Sequence, residues 1–195
     1  MTENNIIYRE IPTSELILDI GELSGRLKVP RDHDMSLWEK YKKELEEKIE
    51  CKMSAKKVPV KYNGDTLIIG NVEAKSEDLK KSLKNSKEAF VFAVTLGSAV
   101  DRLLLKYSRI SPASAFIADA LSSAYAEAAA DRAQEILDNI AKTKLRFSPG
   151  YGDLPLEIQP RVLDLLNAGK LLGVTLTDSL LMKPQKTITA IAGIE

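Results

Sequence analysis

The chain has 195 residues, of which 44% are hydrophobic and 29% are charged. These proportions are typical of a globular domain that buries a core without disulfides or metals. Its 28 Lys and Arg residues balance 28 Asp and Glu residues, so charge gives no case for binding nucleic acid or an anionic membrane. Cys51 is the only cysteine and His33, in a polar turn, is the only histidine. An intramolecular disulfide is therefore excluded, and metal sites or catalytic triads built on His and Cys are not expected.

Nothing in the sequence divides the chain, so we predict a single domain over residues 1–195. Residues 1–50 form an N-terminal element whose role the sequence does not define, with short apolar runs at 6–10 and 15–20. The N-terminus lacks the order of basic, apolar and small residues that marks a signal peptide, and no apolar run is long enough to span a membrane. We therefore expect a cytoplasmic protein.

Several elements are predicted between residues 36 and 97. An amphipathic helix over residues 36–52 is indicated by a capping box and by apolar residues at every fourth position: Ser36 and Glu39, then Leu37, Tyr41, Leu45 and Ile49. The run VPVKYNGDTLIIG predicts a β-hairpin about Asn63-Gly64. A short helix capped by Ser76 follows, and EAFVFAVTLG is typical of a strand buried on both faces.

A long helix is predicted to begin at Ser111 and Pro112 and to reach about Ile140. Small side chains in its early turns would let another element approach the backbone closely: Ala113, Ala115, Ala118, Ala120, Ala124, Ala126, Ala128, Ala129 and Ala130. We interpret it as a central helix packed tightly against a sheet.

The sequence after residue 155 returns to regular patterns. PLEIQPRVLDLLN predicts a helix that ends near Gly169, and residues 175–193 predict a hairpin of two strands joined through Lys183-Pro184-Gln185. Helices and strands therefore alternate irregularly along the chain. This order favours an α+β fold, in which a twisted, mainly antiparallel sheet packs with helices that include the long Ala-rich helix, over a doubly wound fold.

Residues 146–155, RFSPGYGDLP, form a loop of unusual composition. Gly150 and Gly152 permit positive φ angles and the close approach of a ligand to the backbone. Pro149 and Pro155 fix φ at two points and so stiffen the loop. A stiff loop with exposed N–H groups is suited to hold a small polar ligand.

Two side chains of this loop suit a ligand that has a carboxylate and a flat ring. Arg146 can clamp a carboxylate bidentately, and Tyr151 can stack on a heterocycle. The alternative is a structural turn between a strand and a helix, capped by Asp153. No GxGxxG, Walker or GxSxG motif is present, so the commoner nucleotide and hydrolase sites are not predicted.

Two segments together resemble the activation domain of cobalamin-dependent methionine synthase. RFSPGYGDLPLEIQ contains that family's Arg-x-x-x-Gly-Tyr motif as Arg146, Gly150 and Tyr151. LLGVTLTDSLLMKPQKTITAIAG contains the family's glycine, its Leu-Thr pair and its Met-x-Pro turn: Gly173, Leu176-Thr177 and Met182-Lys183-Pro184. The segments VTLGSAVD and AYAEAAAD also resemble the family, so the similarity covers residues 88–195.

The resemblance implies that the chain binds S-adenosylmethionine. In the family, this domain presents the methyl donor to oxidised cob(II)alamin, and an electron from flavodoxin or a similar donor permits reductive methylation to methylcobalamin. The residues implied at the ligand site are Arg146, Pro149, Gly150, Tyr151 and Glu127. A carboxylate such as that of Glu127, in the long helix, favours the cationic ammonium and sulfonium groups of this ligand. No residue is assigned a catalytic role.

Nothing in the chain resembles the folate, homocysteine or cobalamin-binding modules, so we expect cobalamin only on a partner, cobalamin-dependent methionine synthase or another corrinoid protein. The first interpretation is a reactivation subunit, an accessory part of a methyltransferase system in methionine biosynthesis that is not active alone. The alternative is a non-catalytic corrinoid-protein partner that has lost S-adenosylmethionine binding. It is motivated by two departures: residues 1–50 lack the family's acidic ligand contact, and a tyrosine near the family's C-terminus has no counterpart. An unrelated enzyme that shares only the loop is disfavoured, because no catalytic acid–base set is visible.

Overall fold

The structure is a computed structural model that describes residues 6–28, 30 and 38–195. The strands are β1 (Ile6–Glu10), β2 (Lys52–Asn63), β3 (Thr66–Ile69), β4 (Val72–Ala74), β5 (Glu88–Thr95), β6 (Thr175–Leu176), β7 (Met182–Lys183) and β8 (Thr187–Gly193). The α-helices are α1 (Ile20–Leu27), α2 (Glu39–Glu46), α3 (Glu77–Ser82), α4 (Ser98–Ser108), α5 (Pro112–Asp138), α6 (Gln159–Leu165) and α7 (Ala168–Leu172). The turn predicted around His33 and the cap predicted at Ser36 lie outside the described residues.

Six of the strands form one sheet, in which the order is β4-β3-β2-β5-β8 and β1 also pairs with β2. Every pairing is antiparallel. β2 has 12 residues and is long enough to pair with both β1 and β3 along one edge and with β5 along the other. The β2–β3 hairpin is the one that the sequence predicts, and because Asn63 pairs with Thr66, its turn consists of two residues.

β5 lies in the middle of the sheet and is buried on both faces, as its apolar sequence predicts. Phe90 and Phe92 belong to one hydrophobic core, whereas Ala89, Val91 and Ala93 belong to a second core on the opposite face. This alternation follows from the two-residue period of a strand. Helices α1, α2, α4 and α5 contribute to the first core, and α3, α6 and α7 contribute to the second.

α5 is the central helix of its layer and begins at the cap that the sequence predicts. The side-chain oxygen of Ser111 accepts a hydrogen bond of 3.1 Å from the backbone N–H of Ser114, and Pro112 occupies the first turn. α5 packs against α1, α2 and α4 as well as against β5 and β8. Its small side chains permit this close packing on several sides, and the buried alanines are Ala118, Ala120, Ala124, Ala126, Ala128, Ala129, Ala130 and Ala133. The prediction of a closely packed central helix is confirmed.

The C-terminal segment differs from the hairpin predicted over residues 175–193. β6 pairs with β7, and β8 instead pairs with β5 in the main sheet. Residues 177–181 are therefore the tip of a small separate hairpin, and the peptide bond of Lys183-Pro184, which is cis, lies between that hairpin and β8. The apolar pattern indicates strands on both sides of this proline, but it does not show which strands pair. β8 pairs with the buried β5 and not with β7.

α2 is shorter than the helix predicted over residues 36–52 and ends at Glu46. The reason is that the chain approaches the sheet soon afterwards: the backbone N–H of Glu50 donates a 3.0 Å hydrogen bond to the carbonyl of Leu96. This N–H group cannot donate to a helical carbonyl and to Leu96 at the same time, so the helix ends before Glu50.

α1 has no counterpart in the sequence-based prediction, which leaves residues 15–20 as a short apolar run. Gly21 and Gly25 lower the helix propensity of this stretch. The side chain of Asp19 nevertheless caps the helix, because it accepts hydrogen bonds of 2.7 and 3.1 Å from the backbone N–H groups of Gly21 and Glu22. Asp19 and Glu22 have the spacing of a capping box, and this spacing is the sequence signal from which the start of α1 could have been predicted.

Candidate functional site

A groove of about 950 Å³ lies between the loop that begins at Leu145, the side of α5, the 177–181 tip and β8. Its volume is within the range of small-molecule binding sites. Four of the five residues that the sequence associates with a ligand line it, namely Glu127, Arg146, Pro149 and Tyr151. Gly150 lies between two of them in the chain. The fold thus brings the loop residues and the distant helix residue together, and their roles as ligand contacts stay predictions.

The loop is held beside β8 by backbone hydrogen bonds. The N–H of Phe147 donates to the carbonyl of Ile191 at 2.9 Å, and the N–H of Ile191 donates to the carbonyl of Phe147 at 2.8 Å. Neighbouring side chains of an extended segment point to opposite faces. Phe147 accordingly packs on the second core, while Arg146 reaches α5 on the other face.

The bend of the loop is closed by its own backbone. Gly150 has φ 87°, and its N–H donates to the carbonyl of Leu154 at 2.9 Å. The N–H of Tyr151 donates to the carbonyl of Ser148 at 3.2 Å. The composition of the loop predicts exposed N–H groups that could bind a ligand, and for these two donors that prediction is wrong. The loop therefore offers a ligand its side chains instead of these two amides.

Asp153 caps a helix, but the helix is α3 and not the one that follows the loop. Its carboxylate accepts hydrogen bonds from the hydroxyl of Ser76, from the N–H of Glu77 at 2.7 Å and from the N–H of Asp78 at 3.2 Å. The hydrogen bond from Ser76, together with those from the backbone, outweighs desolvation and lowers the pKa of the Asp153 carboxyl. The end of the loop is thus anchored to the second helical layer.

Arg146 joins the loop to α5 through two ion pairs. Its Nη1 donates to Oδ1 of Asp131 at 2.6 Å, and its Nη2 donates to Oε2 of Glu127 at 3.0 Å. The two carboxylates lie four residues apart and so occupy one face of the helix. Burial disfavours the charge of Arg146, but hydrogen bonds and charges from Asp131 and Glu127 prevail and leave its pKa raised.

Glu127 also lies beside a second arginine. Nη2 of Arg26 in α1 is 3.9 Å from Oε1 of Glu127, on the carboxylate oxygen that Arg146 does not contact. Arg26 makes a closer ion pair of 2.6 Å with Glu22 in its own helix. α1 is not predicted from the sequence, and Arg26 was therefore not predicted as a neighbour of Glu127.

The rim of the groove is exposed and largely apolar. Tyr151 is 66% exposed, Leu181 61% and Leu145 87%, so the groove is open to solvent. Leu181 belongs to the hairpin tip, which is held in shape by two hydrogen bonds: the N–H of Thr177 donates to the carbonyl of Leu181 at 2.9 Å, and the N–H of Leu181 donates to the hydroxyl of Thr177 at 3.1 Å.

Gln159 lines the groove from below and is almost completely buried. Its Nε2 donates to Oγ1 of Thr189 at 2.8 Å and to Sδ of Met182 at 3.0 Å. Gln159 therefore ties α6 to β7 and β8 beneath the groove. Gln159 is not among the site residues predicted from the sequence, although a polar residue among the apolar positions of PLEIQPRVL is a usable signal.

Some chemistries are absent from the described part of the chain. None of its helices combines the length and the apolarity needed to cross a membrane. Groups of three or more His, Cys, Asp or Glu side chains that could hold a metal ion are likewise absent from residues 6–28, 30 and 38–195. Cys51 is buried, and burial raises the pKa of its thiol to about 12, so it is not a nucleophile near neutral pH.

Comparison with known proteins identifies the fold. No protein-family model matches the sequence, and no curated protein matches it significantly. A crystal structure of the MetH reactivation domain bound to AdoHcy, however, aligns with a TM-score of 0.71 and 15% sequence identity, over 97% of this chain and 78% of that chain. The chain has the fold of the MetH reactivation domain. The α+β architecture and the structural resemblance inferred from the sequence are both confirmed.

Proposed function

We propose that this chain is an S-adenosylmethionine-binding reactivation subunit. It would support reductive methylation of the cobalamin of methionine synthase or of a related corrinoid methyltransferase. The observation that carries the proposal is the meeting of Arg146 and Glu127 at one groove, in a chain with the fold of the MetH reactivation domain. That domain was solved with AdoHcy, which is S-adenosylmethionine without its transferable methyl group.

The groups at the groove fit the chemistry of this ligand. The carboxylate of Glu127 has a 31% exposed side chain at the groove and can attract an ammonium or a sulfonium. The exposed ring of Tyr151 offers a face on which an adenine can stack. The volume of about 950 Å³ accommodates a ligand of this size.

In the proposed reaction, one electron from a flavodoxin-like donor and the methyl cation of the bound ligand convert cob(II)alamin on the partner into methylcobalamin, and S-adenosylhomocysteine remains. This chain would bind the methyl donor and orient it toward the partner. The open rim at Leu145, Tyr151 and Leu181 supports this role, because a large flat corrin ring needs an unobstructed approach.

The second candidate is a non-catalytic partner of a corrinoid protein that has lost S-adenosylmethionine binding. The observation in its favour is that Arg146 already pairs with Glu127 and Asp131, so its guanidinium is occupied. A groove whose charged groups satisfy one another can persist as a structural feature after ligand binding is lost.

Isothermal titration calorimetry of the chain with S-adenosylmethionine separates the two candidates. Saturable binding supports the reactivation subunit, whereas no detectable heat at millimolar ligand supports the non-catalytic partner. The partner is then tested with a cobalamin-dependent methionine synthase from which the activation domain has been removed. Conversion of its cob(II)alamin to methylcobalamin, followed by absorbance, should require this chain, S-adenosylmethionine and a reductant together.

A further inference from the structure

Arg146 lines the groove, but both of its terminal nitrogens are already paired. Nη1 donates to Asp131 at 2.6 Å and Nη2 donates to Glu127 at 3.0 Å, and these ion pairs attach the loop to α5. A ligand carboxylate that took over Arg146 would displace one of these carboxylates and leave it without its partner. Losing one member of a partly buried ion pair is unfavourable.

A second guanidinium lies on the other side of Glu127. Nη2 of Arg26 is 3.9 Å from Oε1 of Glu127, and the side chain of Arg26 is 36% exposed. Its Nε and Nη2 donate to Glu22 one helical turn earlier, and its Nη1 has no hydrogen-bond partner among the described residues. Exposed pairs of this kind are weak and easily rearranged. Arg26 does not itself line the groove, but of the two arginines beside Glu127 it is the one that can accept a new anionic partner at the lower cost.

The arrangement suits both ends of an α-amino acid. Its ammonium and its carboxylate are attached to the same carbon atom, so the groups that bind them must be close neighbours. Glu127 and Arg26 are such neighbours, with opposite charges. The cluster contains three carboxylates, of Glu22, Glu127 and Asp131, and two guanidiniums. Its one excess negative charge complements a ligand with a net positive charge, such as S-adenosylmethionine.

We propose that Arg26 of α1 binds the carboxylate of the ligand's amino-acid tail, beside Glu127, which binds the ammonium. The inference rests on the proposed function and assigns the N-terminal segment a part in the ligand site. Arg146 is then a positioning residue, which holds Glu127 and the loop in place.

Two probes that differ only in the amino-acid tail test this assignment by calorimetry. S-adenosylhomocysteine carries the tail, and 5′-methylthioadenosine has a methyl group in its place. Arg26→Gln should weaken S-adenosylhomocysteine binding by about tenfold or more, as expected for a lost charge-assisted hydrogen bond. It should leave binding of 5′-methylthioadenosine within about twofold of the parent protein. Arg26→Lys, which keeps the charge but lacks the planar fork, should give a smaller loss for the same ligand only.

Arg132→Gln is the matched control, because Arg132 is also a partly exposed arginine with an ion pair to a nearby glutamate, but its partners are Glu15 and Glu135 and not Glu127. It should leave both affinities unchanged. Unchanged S-adenosylhomocysteine binding by Arg26→Gln, with a selective loss in Arg146→Gln, would assign the carboxylate to Arg146 and overturn the inference alone. An equal loss for both probes in Arg26→Gln would overturn it as well. If the parent protein binds neither probe, the proposed function fails and the inference fails with it.

Discussion

The guanidinium of Arg146 and the carboxylate of Glu127 lie 3.0 Å apart, although 19 residues separate them in the chain. The pair connects the middle of α5 to the loop that carries Tyr151. It is consequently a part of the groove and also a part of the framework around it. Experiments on this site have to measure ligand affinity and stability separately.

Arg146→Ala should weaken S-adenosylmethionine binding by about tenfold or more. The substitution removes two charge-assisted hydrogen bonds that hold the loop and Glu127 in place, and such bonds contribute about 1.5–3 kcal/mol each. Calorimetry of parent and variant measures the change. Arg132→Ala serves as a control, since Arg132 also pairs with two carboxylates but lies away from the groove. An affinity of Arg146→Ala within about twofold of the parent would show that the assigned role is wrong.

Glu127→Gln should weaken binding of S-adenosylmethionine more than binding of S-adenosylhomocysteine. The variant keeps the size and hydrogen-bonding capacity of the side chain but removes a negative charge that attracts the ammonium of both ligands and, in S-adenosylmethionine alone, the sulfonium as well. The attraction between two unit charges is about 1–4 kcal/mol at 4 Å near a protein surface. The melting temperature should change little. Glu135→Gln, on the same helix and paired with Arg132, is the control. A large loss of stability with unchanged binding would instead identify Glu127 as a purely structural ion-pair residue.

The loop could be located from the sequence because its signals are local. Prolines, glycines and a tyrosine within residues 146–155 mark an unusual bend without any knowledge of the rest of the fold. The β2–β3 hairpin was predictable for the same reason, since Asn-Gly is a local hairpin signal, although the turn itself consists of Gly64 and Asp65, one residue later than predicted.

Features that depend on tertiary packing could not be derived in this way. No periodicity distinguishes Glu127 from the other acidic residues of α5, and only a family resemblance pointed to it. α1 has two glycines within eight residues, so its formation depends on burial of Leu23 and Leu27 against the core. The position of Arg26 could therefore not be predicted from sequence patterns. The pairing of β8 with β5 could not be predicted either, because it depends on the arrangement of the whole sheet.

Gly150→Ala should lower both stability and ligand affinity, whereas Gly64→Ala should lower stability only. Both glycines have left-handed φ angles, 87° and 56°, and an added Cβ would meet no atom closer than 3.5 Å at either site. The backbone penalty for alanine is therefore similar, about 1–2 kcal/mol. Only Gly150 lies beside Tyr151 in the groove loop. Chemical denaturation and calorimetry together test the comparison, and equal ligand affinities in the two variants would argue against a role of the bend in binding.

Asp153→Asn should lower the melting temperature, with an effect that depends on pH. The pKa of Asp153 is lowered in the folded protein, chiefly by the hydrogen bond from Ser76. Its stabilising contribution is therefore fully present above the unfolded-state pKa, about 3.9, and is lost as the pH falls through the lower folded-state value. The difference in melting temperature between the parent protein and Asp153→Asn should be largest near neutral pH and should become smaller below about pH 4. Thermal unfolding at several pH values measures it.

The control for this experiment is Asp65→Asn. Asp65 lies in the β2–β3 turn with a 97% exposed side chain, and its one ion pair among the described residues is with Lys80, at 3.8 Å. Its substitution should have little effect at any pH, because exposed pairs contribute little to stability. If the difference in melting temperature between the parent protein and Asp153→Asn does not change with pH, the charge of the carboxylate is not what stabilises the start of α3.

The purified chain should bind S-adenosylmethionine without consuming it. The groove is open at Tyr151 and Leu181, so a bound methyl donor stays accessible from outside, and the one cysteine is buried with a raised pKa. Under the proposed function, the nucleophile arrives on another protein. We expect S-adenosylhomocysteine, measured by chromatography, and methylcobalamin, measured by absorbance, to form only when a corrinoid protein and a low-potential reductant are both added. Omitting either component, or replacing the chain with Arg146→Ala at a ligand concentration below saturation, should reduce product formation. Release of S-adenosylhomocysteine by the chain alone would contradict the proposed accessory role and would instead favour an independent enzyme.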